Sequence, residues 1–99
     1  MKFKDKTVVV TGSRRGIGLG IALEFAKLGA NVVLNGTREI DAETLAQFDA
    51  YPGEVMTFVG DVSKFDVAEN FINEVKERFG RIDVLVNNAG ITRDGLLMR

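Results

Sequence analysis

Apolar residues fall along the chain in two alternating rhythms, short unbroken runs and stripes spaced three or four apart, and these predict strands and helices in turn. Thr7 to Val10 is a β-branched run of the kind that forms a parallel strand buried on both faces. Beyond it Ile17, Ile21, Phe25 and Leu28 keep helical spacing, which predicts a helix with those four on its core face and Gly29 as its C-cap. Asn31 to Asn35 predicts a second strand broken by Gly36, and Asp41 an N-cap for a short helix over 42–51 marked by Leu45 and Phe48 and closed by Pro52-Gly53. A third strand is expected over 55–59. Ser63 and Asp66 then have the form of a capping box for a helix striped by Val67, Phe71, Val75 and Phe79, thickened by Ala68 and Ile72 and stopped at Gly80. Residues 82–86 complete the pattern as a fourth strand.

Four strands alternating with three helices define an α/β chain of βαβαβαβ order. Right-handed crossovers make it a Rossmann-like, three-layer fold with a parallel sheet of four strands. In such sheets ligands sit beyond the carboxyl ends of the strands, and four segments follow strand ends here: the loop over 11–18, Gly36-Thr37-Arg38, Gly60-Asp61-Val62, and residues 87–90.

The loop carries the most chemistry. Gly12, Gly16 and Gly18 lie between the first strand and first helix, where missing Cβ atoms permit a tight turn and let backbone N–H groups approach a phosphate at the positive end of the helix. The bland alternative is a tight strand-to-helix turn without a ligand. The GxxxGxG spacing departs from the strict GxGxxG fingerprint, with Ile21 at its last position. Leu19 and Gly20 follow the last glycine where a phosphate loop of nucleotide hydrolases carries lysine and a hydroxyl, so kinase or ATPase chemistry is not supported.

Composition narrows the choice further. The 99 residues suit one small domain, with 13 basic and 14 acidic side chains and a net charge of −1, so binding to nucleic acid or an anionic membrane is poorly supported as a main role. The lack of cysteine and histidine excludes disulfides, thiolate catalysis and the commonest general base and metal ligand. No run approaches a membrane span and no signal-peptide core is present, which makes a cytoplasmic location the expectation.

The chain resembles the short-chain dehydrogenase/reductases. The family's TGxxxGxG loop stands at residues 11–18, its NNAG at 87–90, and its Asp-Val pair after the third strand as Asp61-Val62. Residues 88–94 and 96–99 are similar to the 3-oxoacyl-acyl-carrier-protein reductase branch of fatty-acid synthesis, and acetoacetyl-CoA reductases share much of that segment. The resemblance implies the dinucleotide-binding part of an oxidoreductase, spanning 1–99. Backbone of Gly12, Ser13, Arg14, Arg15, Gly16, Ile17 and Gly18 would hold a pyrophosphate. Asp61 would accept the adenine amine, with a turn or N-cap role as its alternative, and Val62 would cover the ring. Asn88, Ala89 and Gly90 would pass the nicotinamide-side ribose, with Asn87 tying neighbouring strands.

Cofactor choice follows from charge. Gly36, Thr37 and Arg38 stand where an NAD site places a carboxylate, so a 2′-phosphate is admitted, and Arg15 and Arg38 could bind it with Thr37. NADP(H) is the expected cofactor, the competing detail being Glu39 turned inward. The family's Ser, Tyr and Lys lie beyond the fourth strand and no catalytic residue can be carried over: Tyr51, the one tyrosine, has Val55 four residues on and reads as a partly buried anchor. The expectation is a cofactor-binding half without turnover of its own, an incomplete sheet prone to homo-oligomer formation, and an acyl-carrier-protein substrate only with the catalytic half. The alternative is an autonomous non-catalytic nucleotide-binding module, natural or engineered.

Overall fold

The computed structural model describes residues 2–89. It contains β1 (Thr7–Val10), α1 (Gly16–Lys27), β2 (Asn31–Gly36), α2 (Ala42–Ala46), β3 (Val55–Val59), α3 (Phe65–Phe79) and β4 (Val84–Val86). The strands form one parallel sheet in the order β3-β2-β1-β4, with Val8 opposite Val32 on one side and Val84 on the other. Chain order reverses at β1, between β2 and β4, so the loop after β1 opens at the point where connections leave for opposite faces.

Alternation along the inner strands sorts the core into two layers. Val8, Val10, Val32 and Leu34 pack with Ala22 and Ala26 of α1 and with Ile40 and Phe48. Val9, Val33, Met56 and Phe58 meet Phe71 and Val75 of α3, where the Phe58 and Phe71 rings stack with centroids 4.4 Å apart. Burial of β1 on both faces explains why it reads as an unbroken apolar run rather than an alternating one.

The core face of α1 is not the expected one. Gly18, Ala22 and Ala26 are buried, whereas Ile17 is 78% exposed and Leu28 39%. Ile21 and Phe25 are only half-buried on the flank, Phe25 meeting Phe3 edge to face. The cause is close packing. A Cβ built on Gly18 would lie 2.2 Å from the carbonyl oxygen of Gly12, so the helix approaches the loop through its smallest residues and larger ones are rotated to the sides. The end lies one residue earlier than expected: Leu28 is the C-cap, and Gly29, at φ +93°, follows it as the left-handed residue that donates its N–H to the Ala26 carbonyl.

Four other boundaries move, and the first is that β2 is not broken by Gly36 but runs through it, with Gly36 paired to Val59. The second helix stops at Ala46 instead of reaching Tyr51. Asp41 does cap it, accepting the Thr44 N–H at 2.8 Å, but from Gln47 to Tyr51 the chain tightens into i→i+3 bonds that leave Phe48 buried and Tyr51 half-buried against the same core. The capping box at Ser63 does not form. Lys64 occupies the N-cap, because Ser63 donates its hydroxyl to Asp61 Oδ1 at 2.6 Å. The fourth strand begins at Val84 rather than Ile82, since Asp83 Oδ2 takes the Thr7 N–H at 2.8 Å in place of a backbone carbonyl. By contrast β3 has the expected extent, and Gly80 at φ +80° closes α3 where expected by donating to the Lys76 carbonyl.

Candidate functional site

The carboxyl ends of the strands surround a cleft of about 470 Å³. The glycine loop contributes Gly12, Arg14 and Arg15, the end of β2 Asn35, Gly36 and Thr37, the β3–α3 turn Gly60 to Ser63, and the segment after β4 Asn88 and Ala89. All four segments read from the sequence therefore meet here.

The loop is shaped by two left-handed glycines, Gly12 at φ +60° and Gly16 at φ +63°, a region L side chains enter at a cost. Its first three N–H groups are already committed, that of Thr11 to the Val86 carbonyl at 3.0 Å. Gly12 donates to Asn35 Oδ1 at 3.1 Å and Ser13 donates to the Asn35 carbonyl at 2.7 Å. The Ser13 hydroxyl is fully buried, donating to the Val10 carbonyl at 2.7 Å and accepting the Asn35 N–H at 2.9 Å, so Ser13 ties β1 to β2 and does not line the cleft. No hydrogen bond among the described residues engages the backbone N–H groups of residues 14–18, and α1 has no side-chain cap. Donors for an anion thus lie at 14–18, at the positive end of the helix dipole.

Asn35 is the residue that sequence reasoning missed. Only 2% exposed, it accepts from Gly12 through Oδ1 and donates through Nδ2 to the carbonyls of Phe58 and Gly60 at 3.1 and 3.2 Å, joining the ends of β1, β2 and β3. The available signal was a polar amide directly after the apolar run Val32-Val33-Leu34. A buried amide is retained where all its valences are met.

On the opposite wall Thr11 performs a similar task. Its hydroxyl oxygen accepts the N–H groups of Asn88 at 2.9 Å and Ala89 at 3.1 Å, and stands 3.4 Å from Asn87 Oδ1. Asn88 Nδ2 donates to the Gly12 carbonyl at 3.0 Å, beside the space left by the missing Gly18 side chain. Asn87 accordingly sits at the junction of β1 and β4, the tying position expected of it.

The remaining site residues separate into cleft and periphery. Asp61 lines the cleft with its carboxyl held below the usual carboxylate range by the Ser63 hydroxyl and N–H, both donating to Oδ1; Oδ2 has no partner among the described residues. Val62 is 2% exposed and packs with Val9 and Val33, so it offers the cleft very little side-chain surface. Arg14 lies against Gly36, on which a Cβ would stand 3.1 Å from Arg14 Cβ and 3.3 Å from its Cδ. Thr37 lines the cleft, whereas Arg38 and Glu39 are exposed residues outside its wall. Gly16, Ile17 and Gly18 also lie off the wall, Gly18 acting as the contact surface between helix and loop. Gly90 lies outside the described residues, and among those described no cluster of His, Cys, Asp or Glu could hold a metal ion.

A crossover cleft at the switch point of a parallel sheet, floored by a GxxxGxG loop, defines a dinucleotide-type fold, and residues 6–98 match the short chain dehydrogenase family, to which this chain belongs. Among curated relatives it is 43% identical to a 3-oxoacyl-[acyl-carrier-protein] reductase of Staphylococcus epidermidis over 96% of the chain, and 46% identical over the same share to one of Chlamydia muridarum. The chain spans about 40% of the length of these relatives. Among solved structures, a metagenomic short-chain oxidoreductase in complex with NADP superposes with a TM-score of 0.79 at 39% identity, covering 92% of this chain and 42% of that one. A 3-oxoacyl-[acyl-carrier protein] reductase from Brucella melitensis in complex with NAD gives 0.79 at 36% identity, covering 86% and 33%.

Proposed function

We propose that the cleft binds NADP(H), and that the chain is the cofactor-binding portion of an oxidoreductase that transfers hydride to a β-keto thioester of the 3-oxoacyl-acyl-carrier-protein type. The observation that carries the cofactor reading is the wall after β2: Asn35, Gly36 and Thr37 face the cleft there with no carboxylate, and Arg14 crosses Gly36. A 2′-phosphate meets cationic charge at that wall, whereas an acidic residue in its place would repel it.

The residues present fit the group. Among the described residues the N–H groups of 14–18 are unpartnered, those of Arg14 and Arg15 on the cleft wall and those of 16–18 at the adjoining helix end, which suits a pyrophosphate, and the cleft volume is within the range of ligand pockets. Asp61 Oδ2 would accept the adenine amine, while Asn88 and Ala89 would border the nicotinamide-side ribose. Gly12 and Ser13 would serve by shape, because their N–H groups are spent on Asn35. Bound NADPH supplies the hydride; this chain's residues bind and orient it. The thioester substrate is supported by the names of the relatives, which are reductases of that type.

Fluorescence titration with NADPH and NADH in the same buffer tests the reading. NADPH is expected to bind about tenfold tighter or more, the effect of one charge-assisted contact. Equal or tighter binding of NADH would reverse the cofactor assignment in favour of the nucleotide held by the Brucella reductase.

A further inference from the structure

Asn35 is followed by glycine, and no other asparagine of the chain is. Asparagine before glycine is the pair most prone to lose its amide, because without a Cβ the next backbone nitrogen reaches the side-chain carbon unhindered. The chain places this pair at a demanding position. Asn35 must be an amide to serve Gly12, Phe58 and Gly60 at once. Position 36 must lack a side chain, since a Cβ there would stand 3.1 Å from Arg14 Cβ and 3.2 Å from the Arg38 carbonyl oxygen. Both halves of the hazard are therefore required by the end of β2.

We infer that Asn35 is a site of spontaneous deamidation that the fold keeps shut, and that its modification destroys the fastening of the cleft. In the reaction the Gly36 nitrogen loses its proton and attacks Asn35 Cγ; the bond to Nδ2 breaks, ammonia leaves, and a five-membered imide remains. Water then adds to one of the two imide carbonyls and opens the ring to aspartate or isoaspartate. Ring closure turns the side chain onto its own peptide bond. In the folded chain that gives up the bond of Oδ1 to Gly12 and those of Nδ2 to Phe58 and Gly60. The backbone is held as well: Asn35 and Gly36 lie opposite Phe58 and Val59, the Asn35 N–H donates to the Ser13 hydroxyl, and the Gly36 carbonyl accepts the Gly60 N–H at 2.9 Å. At 2% exposure the residue is also shielded from the water that opens the imide. The reaction thus waits for an excursion that frees the end of β2. Its products cannot resume the same place. Both lose the two donors of Nδ2; aspartate puts a carboxylate against the Phe58 and Gly60 carbonyls, and isoaspartate carries an extra backbone carbon that throws Gly36 out of register with Val59.

The test holds the chain at mildly alkaline pH in native buffer and, in parallel, in denaturing guanidinium chloride. Trypsin then releases residues 28–38, and fragmentation mass spectrometry separates Asn35 from Asn31 within that peptide. Asn35 is expected to react about a hundredfold or more slowly in native buffer, where an opening populated below about one part in a hundred limits it. In denaturant it should outpace Asn31, whose neighbour Val32 is β-branched, by about tenfold. Gly36→Ala should slow the denatured reaction by about tenfold, a readout that does not require the variant to fold. On dilution from denaturant, the share of chains that regains the parental unfolding midpoint by circular dichroism should fall in step with the modified share. Equal rates for Asn35 in the two buffers would overturn the inference by showing that the fold does not guard the site. A modified chain that refolds to the parental midpoint also overturns it, and so does Asn31 reacting as fast as Asn35 in denaturant.

Discussion

Asn35 Oδ1 accepts the backbone N–H of Gly12 at 3.1 Å, so the glycine loop is fastened to the end of β2 by a buried side chain. The same amide holds the carbonyls of Phe58 and Gly60, which fixes the turn carrying Asp61 relative to the loop. Asn35→Leu keeps the bulk and leaves three backbone groups without their partner. With each unsatisfied buried group costing about 1–3 kcal/mol, a loss of roughly 3 kcal/mol or more is expected in urea unfolding, partly relieved if water enters. Asn35→Asp adds a pH signature. Its buried carboxyl faces two carbonyls and has its folded pKa raised, so that variant should be most stable below the unfolded value of about 3.9 and weaken as pH rises through the folded value. An Asn35→Asp variant as stable as the parent at neutral pH would show that the amide is not the fastener.

Gly18 and Gly20 stand in the same helix and predict opposite responses to alanine. At Gly18 the new Cβ would lie 2.2 Å from the Gly12 carbonyl oxygen, a contact that backbone cannot yield without moving the helix off the loop, and 2.6 Å from the side-chain Nδ2 of Asn88. Gly18→Ala should destabilise by a few kcal/mol and weaken nucleotide binding in proportion. At Gly20 nothing lies within 4 Å, so Gly20→Ala should stabilise by roughly 0.5–1 kcal/mol through helix propensity alone. Thermal unfolding of the two variants side by side checks the sign of each.

Gly53 offers a control remote from the cleft. Its Cβ would stand 2.0 Å from the Ala30 carbonyl oxygen, at the entry to β2 and so at the opposite end of that strand. Gly53→Ala is expected to lower the unfolding midpoint as Gly18→Ala does, while the nucleotide affinity of the folded fraction stays within about twofold. A large affinity change at Gly53 would mean that the two ends of the sheet are coupled.

Strands and the best helix were legible because each announces itself through its own residues. The β-branched run of β1 needs burial on two faces, and α3 repeats its apolar positions for four turns before a left-handed glycine. The phase of α1 was not legible in the same way, since hydrophobic spacing counts large residues and this interface is made of small ones. Ser63 and Asp83 failed for a related reason: a hydroxyl or carboxylate has several nearby partners, and only the fold decides that Ser63 serves Asp61 and that Asp83 serves Thr7. At the site, spacing located the converging segments correctly. It could not reveal that Asn35 consumes the N–H groups of Gly12 and Ser13, because that depends on a neighbour more than 20 residues away in the chain.

The phase of α1 can be tested directly. Ile17→Ser replaces a side chain that is 78% exposed and should change stability by no more than about 0.5 kcal/mol. Ala22→Leu forces extra carbons into a fully buried position between helix and sheet, and overpacking there should cost about 1–3 kcal/mol or more. Were Ile17 on the core face, the order of the two effects in chemical denaturation would be reversed.

Acid should expose the link between Asp83 and the first strand. The Thr7 N–H at Oδ2, with Arg81 donating to Oδ1, holds the Asp83 carboxyl below its usual range. A folded pKa below the unfolded value of about 3.9 means that the contribution is fully present above that value and is lost as pH falls through the folded one. Asp83→Asn keeps an oxygen able to accept from Thr7 but removes the proton linkage. The variant should therefore be less stable than the parent at neutral pH, lose less stability on acidification, and converge with it near the acid end of the transition. Asp41 and Asp61, lowered by Thr44 and Ser63, remain in both proteins and give the same background slope. Urea midpoints from pH 6 down to about 2.5 measure the difference, and parallel curves for parent and variant would remove Asp83 from the account of acid stability.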